Sequence, residues 1–432
     1  MEPASRRRVI VAGMIGNALE WYDFSVYGYF VGAIGQHFFP RENHTAQLLA
    51  AFGVFAIGYM MRPIGGAVIG HIGDRLGRRT ALTFSVAAMA VPTFLIGLLP
   101  GYATLGVAAP VLFTLLRMMQ GLSTGGEYTS SLVFLVERAP PRHRGLTAAF
   151  GPFGAIAGIL MGSTMGWIFA SVMSPDTLAD WGWRIPFLLG LGVGLAGFFL
   201  RRNMPELPHA ERSGRAPLAE VFRDHWRLLI TLAAFSVFNG VGFYITFVYI
   251  ASWLQTVDHM PLSRALEINT ISMCLMPAMF LGTAWLTDRF GRKPLLMAAT
   301  IAGFVAAVPL FMLMDHPAPM LALLGQIGLT LIVAVFIGAQ AATMVEIAPP
   351  RVRCTAVGLG YNITLGVVGG LTPLVATWLV QRTGNELAPA FLIMAAAVVT
   401  LFAILRLPET YRATLDAETI GGEPARFAPA TG

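Results

Sequence analysis

Residues 16–30, GNALEWYDFSVYGYF, place Glu20 and Asp23 three positions apart inside an apolar run. A charged side chain at the centre of a bilayer costs roughly 2.5–3.5 kcal/mol even on lenient insertion scales, so it persists where it moves ions or protons or meets an opposite charge. Arg62, Arg117 and Glu127 share that setting. Asn17, Glu20, Asp23 and Tyr27 follow helical spacing, as do Arg117, Gln120, Thr124, Glu127 and Tyr128, so each set draws one polar stripe along its helix. A rise of about 1.5 Å per residue puts Glu20 and Arg117 near the middle of their spans, where they can face each other. Low dielectric favours a neutral acid while a neighbouring arginine favours the carboxylate, and a proton carrier needs both pulls. The expected chemistry is ion coupling, with Asp23 or Glu127 as proton acceptor, Glu20 the most structural of the three acids beside Trp21, and Arg117 as the switch that a substrate anion would occupy. The alternative for each acid is a fixed ion pair that locks helix to helix.

Such stripes need surrounding helices, and the composition supplies them. The chain of 432 residues is 56% hydrophobic and 12% charged, whereas soluble domains carry about 25% charged residues. It reads as an all-α membrane protein. Apolar stretches of roughly 20 residues, enough to cross a bilayer, lie near 9–34, 47–71, 80–100, 104–136, 145–172, 185–202, 227–256, 264–286, 294–314, 318–345, 353–380 and 387–406. Twelve transmembrane helices are expected. The start, MEPASRRRVIVAG, has a basic head, but no A-x-A-like cleavage site follows and Glu20 and Asp23 interrupt the apolar run, so it is read as an uncleaved first span. With both termini cytoplasmic, 23 of the 29 Lys and Arg residues fall on the inner side, the asymmetry of the positive-inside rule. The net charge of +6 then follows from topology and anionic lipid, and no nucleic acid is called for.

The sequence also repeats itself at long range. GDRLGRR (73–79) recurs as TDRFGRK (287–293), VERAPPRHR (136–144) as VEIAPPRVR (345–353), and NMPEL (203–207) is echoed by RLPET (406–410). Each pair falls at the inner end of corresponding helices, so the chain is expected to be two pseudo-symmetric six-helix bundles, 1–202 and 226–406, with a cytoplasmic linker at 203–225 and a short tail at 407–432. All five deep charges lie in the first bundle. The second offers Asn239, Tyr244, Gln340 and Asn362, neutral donors suited to substrate shape or, equally, to interhelical hydrogen bonding.

GDRLGRR with its second copy, and RMMQG (117–121), resemble the major facilitator superfamily. GNALEWYDF, MRPIGG (61–66), QGLSTGGEY (120–128) and DWGWRIPF (180–187) resemble its metabolite:proton symporter branch, bacterial carriers for α-ketoglutarate, citrate, shikimate, proline and betaine. The resemblance runs from about residue 9 to 410. It implies alternating access in a bacterial inner membrane, the proton as coupling ion and no other cofactor. It also implies cytoplasmic charge networks that hold the inner gate, carried here by Asp74, Arg78, Glu137 and Arg144 and, in the second half, by Asp288, Arg292, Glu346 and Arg353.

Other patterns lack their context. GLSTG (121–125) and GVGLAG (192–197) fit nucleophile and dinucleotide motifs but lie inside apolar helices. The eight histidines fall in loops or at span ends, and Cys274 and Cys354 have no ligand spacing, so neither an enzyme nor a metal site is expected. The reading is import of a small organic anion, a di- or tricarboxylate, by proton symport in a monomer, with Arg117, Arg62, Asn17, Tyr27, Gln120, Tyr128, Asn239, Tyr244, Gln340 and Asn362 as substrate contacts. Proline or betaine uptake ranks second, because osmosensing carriers of the branch have a long coiled-coil tail. Drug:proton antiport, suggested by GPFGAIAG (151–158), ranks third, and a channel or receptor is the alternative from another class.

Overall fold

In the computed structural model the described residues are 18, 20–40, 43–65, 78–125, 127–137, 139–202, 217–316, 318–350, 352–412 and 415, and among them every regular element is a helix. α1 covers 20–38 with a turn at Phe30. α2 (His44–Gly65) starts from Asn43, whose side chain accepts from the Thr45 and Ala46 amides at 2.8 and 3.3 Å, the usual satisfaction of unpaired N-terminal donors. α3 (Arg78–Leu98), α4 (Ala108–Ser123), α5 (Glu127–Glu137), α6 (Arg144–Val172) and α7 (Arg184–Arg202) complete the first half. α8 (Pro217–Asp224) forms part of the expected linker. α9 (Trp226–Thr256), α10 (Leu262–Phe290), α11 (Lys293–Met314), α12 (Pro319–Glu346), α13 (Thr355–Thr383) and α14 (Ala388–Arg406) form the second half. Eight of the described helices, α2, α6 and α9 to α14, are long and apolar enough to cross a membrane. Large apolar side chains stay exposed around them, among them Phe84 on α3, Leu115 on α4, Val305 on α11 and Phe402 on α14, as lipid-facing surfaces require.

α3 packs on α7 and α2 on α4 within the first half, while α11 packs on α12 and α14 within the second. The halves meet where α6 lies against α10 and α2 against α13. Besides the turn at Phe30, two local features stand out. The expected 104–136 helix is broken after Ser123, where the Ser85 hydroxyl donates to the Ser123 carbonyl at 2.8 Å and the Ser123 hydroxyl returns a bond to the Ser85 carbonyl at 2.6 Å. Gly125, which has no side chain to favour the helix, follows. Secondly, α9 and α13 each contain a π-helical turn, Ile245–Tyr249 and Thr364–Gly369, of the kind found at functional sites and kinks.

α2 and α4 cross closely enough to forbid side chains. A Cβ on Gly121 would lie 1.8 Å from the Gly58 carbonyl oxygen, and one on Gly65 would lie 2.0 Å from that of Leu122. Since both obstacles are backbone, Gly121→Ala must push the helices apart, and a loss of about 1–3 kcal/mol is expected. Thermal unfolding of the purified variant checks this; an unchanged midpoint would mean that the crossing is looser than described.

Candidate functional site

Glu20 and Asp23 both pair with arginine, but not with the same one. On a helix a spacing of three rotates a side chain by about 300°, so the two acids diverge by roughly 60° and reach different neighbours. Glu20 Oε1 accepts from Arg62 Nη2 of α2 at 2.8 Å. Asp23 Oδ2 accepts from Arg117 Nη1 of α4 at 2.6 Å. The expected facing of Glu20 and Arg117 is replaced by two separate pairs, all four residues buried.

The Asp23–Arg117 pair lies wholly inside the first half. Asp23 Oδ1 accepts from Thr93 Oγ1 at 2.7 Å and from Gln120 Nε2 at 2.8 Å, and Gln120 Oε1 accepts from Arg117 Nη1 at 2.7 Å. Its guanidinium carbon stands 4.8 Å from the Phe24 ring centre and 4.3 Å from that of Tyr27, within cation–π range. The Tyr27 hydroxyl donates to the Ala51 carbonyl at 2.6 Å, so this expected substrate contact is bound into the helix packing. A charge this enclosed, held by three donors, is costly to disturb unless its neighbours move with it.

The Glu20–Arg62 pair lies between the halves. Arg62 is 5.7 Å from the Trp21 ring centre and 5.2 Å from that of Tyr59. Tyr244 of α9 and Tyr361 of α13 lie within its electrostatic reach. Tyr59 meets Tyr244 edge-on at 5.1 Å, and Trp21 meets Phe243 at 5.4 Å. Rings from both halves therefore surround one ion pair. Arg62 Nε and Nη1 are buried and make no hydrogen bond among the described residues, which is expensive for a charged donor.

Two of the four neutral groups expected in the second half are bonded to one another. Asn239 Nδ2 donates to Gln340 Oε1 at 2.7 Å, and Gln340 Nε2 donates to Ser236 Oγ at 3.2 Å. Asn362 Nδ2 crosses to the first half and donates to the Gly125 carbonyl at 2.8 Å, beside Tyr128, which stacks on Tyr361 at 5.1 Å. Glu127 occupies the first position of α5, and Asn17 lies outside the described residues.

At the basic end of the bundle Arg292 joins Asp288 at 2.8 Å to Glu346 at 3.1 Å. Burial works against the Arg292 charge, and Glu346 with Asp288 more than offsets it, so the guanidinium is held above its ordinary value. Asp288 also caps the start of α6 across the interface, accepting from the Gly145 and Leu146 amides at 2.9 Å each. Arg144 is buried at the first position of α6. Arg353 donates to the Ala348 and Leu415 carbonyls. Arg78 and Glu137 occupy the ends of α3 and α5, and Asp74 lies outside the described residues. Asp288→Ala removes both caps and one partner of Arg292. Hydrogen exchange at the amides of Gly145 and Leu146 should quicken about tenfold, from about 1.4 kcal/mol of lost protection; unchanged exchange would remove Asp288 from the interface.

Sequence reasoning missed Thr93 and Tyr59 as members of these clusters, and Glu409 and Thr410 near the basic end. Glu409 accepts from the Arg292 and Lys293 amides at 2.9 and 3.0 Å, and Thr410 donates to Glu346 at 2.6 Å. Thr93 had a signal, a polar residue directly after Pro92 in an apolar span.

The profile of the Major Facilitator Superfamily matches residues 13–364 and 269–431. The chain is 34% identical over 428 residues to the proline/betaine transporter of Escherichia coli (strain K12), covering 96% of this chain and 85% of that one. It is 35% identical over 428 residues, with the same coverages, to the glycine betaine/proline/ectoine/pipecolic acid transporter OusA of Dickeya dadantii (strain 3937). Among solved structures, the partially occluded inward-open xylose transporter XylE of E. coli superposes with a TM-score of 0.75 at 19% identity, over 93% of this chain and 98% of that one.

Proposed function

The chain belongs to the Major Facilitator Superfamily, and from that premise we propose that it carries a small zwitterionic osmolyte of the proline and betaine kind into the cell together with a proton, by alternating access. It is a secondary transporter and not an enzyme. The observation that carries the substrate class is charge balance: Glu20 is paired with Arg62 and Asp23 with Arg117, so these four buried charges sum to zero. A dicarboxylate would bring two uncompensated negative charges into this core, at a desolvation cost of several kcal/mol per ion, whereas a zwitterion brings none. The names of the relatives at 34% and 35% identity agree with the zwitterion. The ranking drawn from sequence, organic anion first and osmolyte second, is therefore reversed. The anion reading needs an acid to be protonated before an arginine can turn to substrate, and in the structure each arginine is paired with an acid.

In this reading the two pairs divide the work. Asp23 with Arg117, Thr93 and Gln120 is the proton site, contained in one half so that its donors travel with it. Glu20 with Arg62 lies between the halves, where substrate enters. Asp288, Arg292 and Glu346 hold the basic end shut and release when it opens. That end faces the cytoplasm with both termini on the same side, an orientation the arginine asymmetry supports, in a monomer of twelve spans in two bundles within a bacterial inner membrane.

Protection against unfolding separates the substrate classes. Glycine betaine, proline and ectoine are expected to protect the detergent-solubilised protein against thermal unfolding, by about 2.7 kcal/mol at one hundred times the dissociation constant. Succinate and citrate should leave the midpoint unmoved. Protection by the carboxylates alone would reinstate the organic anion.

A further inference from the structure

The geometry around Arg62 points to how a zwitterion is recognised, an inference that rests on the osmolyte reading above. We propose that the rings of Trp21, Tyr59, Tyr244 and Tyr361, together with the Glu20 carboxylate, form the subsite for the substrate's ammonium group, which the Arg62 guanidinium fills when substrate is absent. The first support is position: Arg62 already stands 5.7 Å from Trp21 and 5.2 Å from Tyr59, in the place a bound cation would take over aromatic faces. The second is valence. Arg62 uses Nη2 on Glu20, and its buried Nε and Nη1 make no hydrogen bond among the described residues, leaving donors ready for a carboxylate. The third is origin, since Trp21 and Tyr59 belong to the first half and Tyr244 and Tyr361 to the second.

Binding is then an exchange of partners. The substrate's ammonium takes the ring faces and Glu20, while Arg62 turns to the substrate's carboxylate. One internal pair and one zwitterion become two crossed pairs with no change in buried charge, so little desolvation is left uncompensated. A neutral molecule of the same shape cannot hold Glu20, and a dianion cannot occupy the rings. Because both halves supply rings, occupancy also joins them, a condition for the rocking step to carry the ligand with it.

The test compares glycine betaine with 3,3-dimethylbutanoate, its isostere with carbon in place of the quaternary nitrogen, on the unaltered full-length protein, by equilibrium binding of radiolabelled glycine betaine. The isostere should bind at least ~100-fold more weakly, since a desolvated cation–π contact and a buried ion pair are lost together. Trp21→Leu should weaken glycine betaine ~10-fold or more, and Trp21→Phe, which keeps a ring, no more than ~3-fold. If the protein binds glycine betaine and the isostere equally, or if Trp21→Leu binds as tightly as the unaltered protein, the subsite is wrong while the osmolyte reading survives. If no zwitterion binds at all, the osmolyte reading fails and takes the subsite with it. Should Trp21→Leu not fold, the isostere comparison alone decides the matter.

Discussion

Asp23→Asn is expected to abolish proton-driven accumulation while leaving substrate exchange across the membrane largely intact. An imposed gradient of about two pH units is worth ~2.7 kcal/mol per proton and supports ~100-fold accumulation at one proton per substrate. Asparagine cannot take up that proton, so accumulation should fall to equilibration. The substitution also sets an amide or its carbonyl against Arg117, which keeps only Gln120 and the rings of Phe24 and Tyr27 as neighbours. Stranding a buried arginine costs about 3–5 kcal/mol, so less folded protein is expected as well. The double variant Asp23→Asn with Arg117→Gln separates the two effects. If the pair were only a structural lock, the double variant would recover both folding and proton-driven uptake; on this account it recovers folding and remains uncoupled.

The second large effect belongs to the interface pair. Glu20→Gln leaves Arg62 with a neutral partner in a fully buried position and should destabilise the protein by about 3–5 kcal/mol. Arg62→Gln should cost a similar amount. In the double variant the uncompensated charge is gone, so most of the stability should return, and the double variant should lose less than either single substitution, far from additive. Zwitterion binding should not return with it, because both the carboxylate and the guanidinium needed for crossed pairing are absent. Additive losses, or a double variant that binds substrate normally, would contradict the division between the two pairs. Thermal unfolding and equilibrium binding on the same preparations read out both.

Much of the helical plan was legible because bilayer-length apolar runs leave little choice of secondary structure. Every described helix long enough to span overlaps an expected stretch, and the repeated TDRFGRK and VEIAPPRVR segments do converge, at Arg292 with Asp288 and Glu346. What was not legible depends on contacts between distant helices. Helical spacing placed Glu20 and Asp23 on one stripe, yet the divergence of about 60° that comes with a spacing of three was enough to separate their partners. No local pattern marks Ser85 as the partner of Ser123, since the bond spans two helices. The π-helical turns of α9 and α13 are likewise silent in the hydropathy pattern, which is apolar on both sides of them. Tyr27, Gln120 and Asn362 were visible as polar positions in spans, but their sequence did not distinguish substrate contact from packing. In the structure their hydrogen-bonding groups are spent on Ala51, on Asp23 and Thr93, and on Gly125 and Gly358.

That a proton gradient drives a zwitterion through this protein is tested by radiolabelled glycine betaine uptake into proteoliposomes holding the purified chain, with the interior about two pH units more alkaline than the medium. Accumulation should rise well above the external concentration, up to ~100-fold at one proton per substrate, and collapse to equilibration when a protonophore is added. Uptake that stops at equilibration with the gradient intact, or that is indifferent to the protonophore, would contradict it.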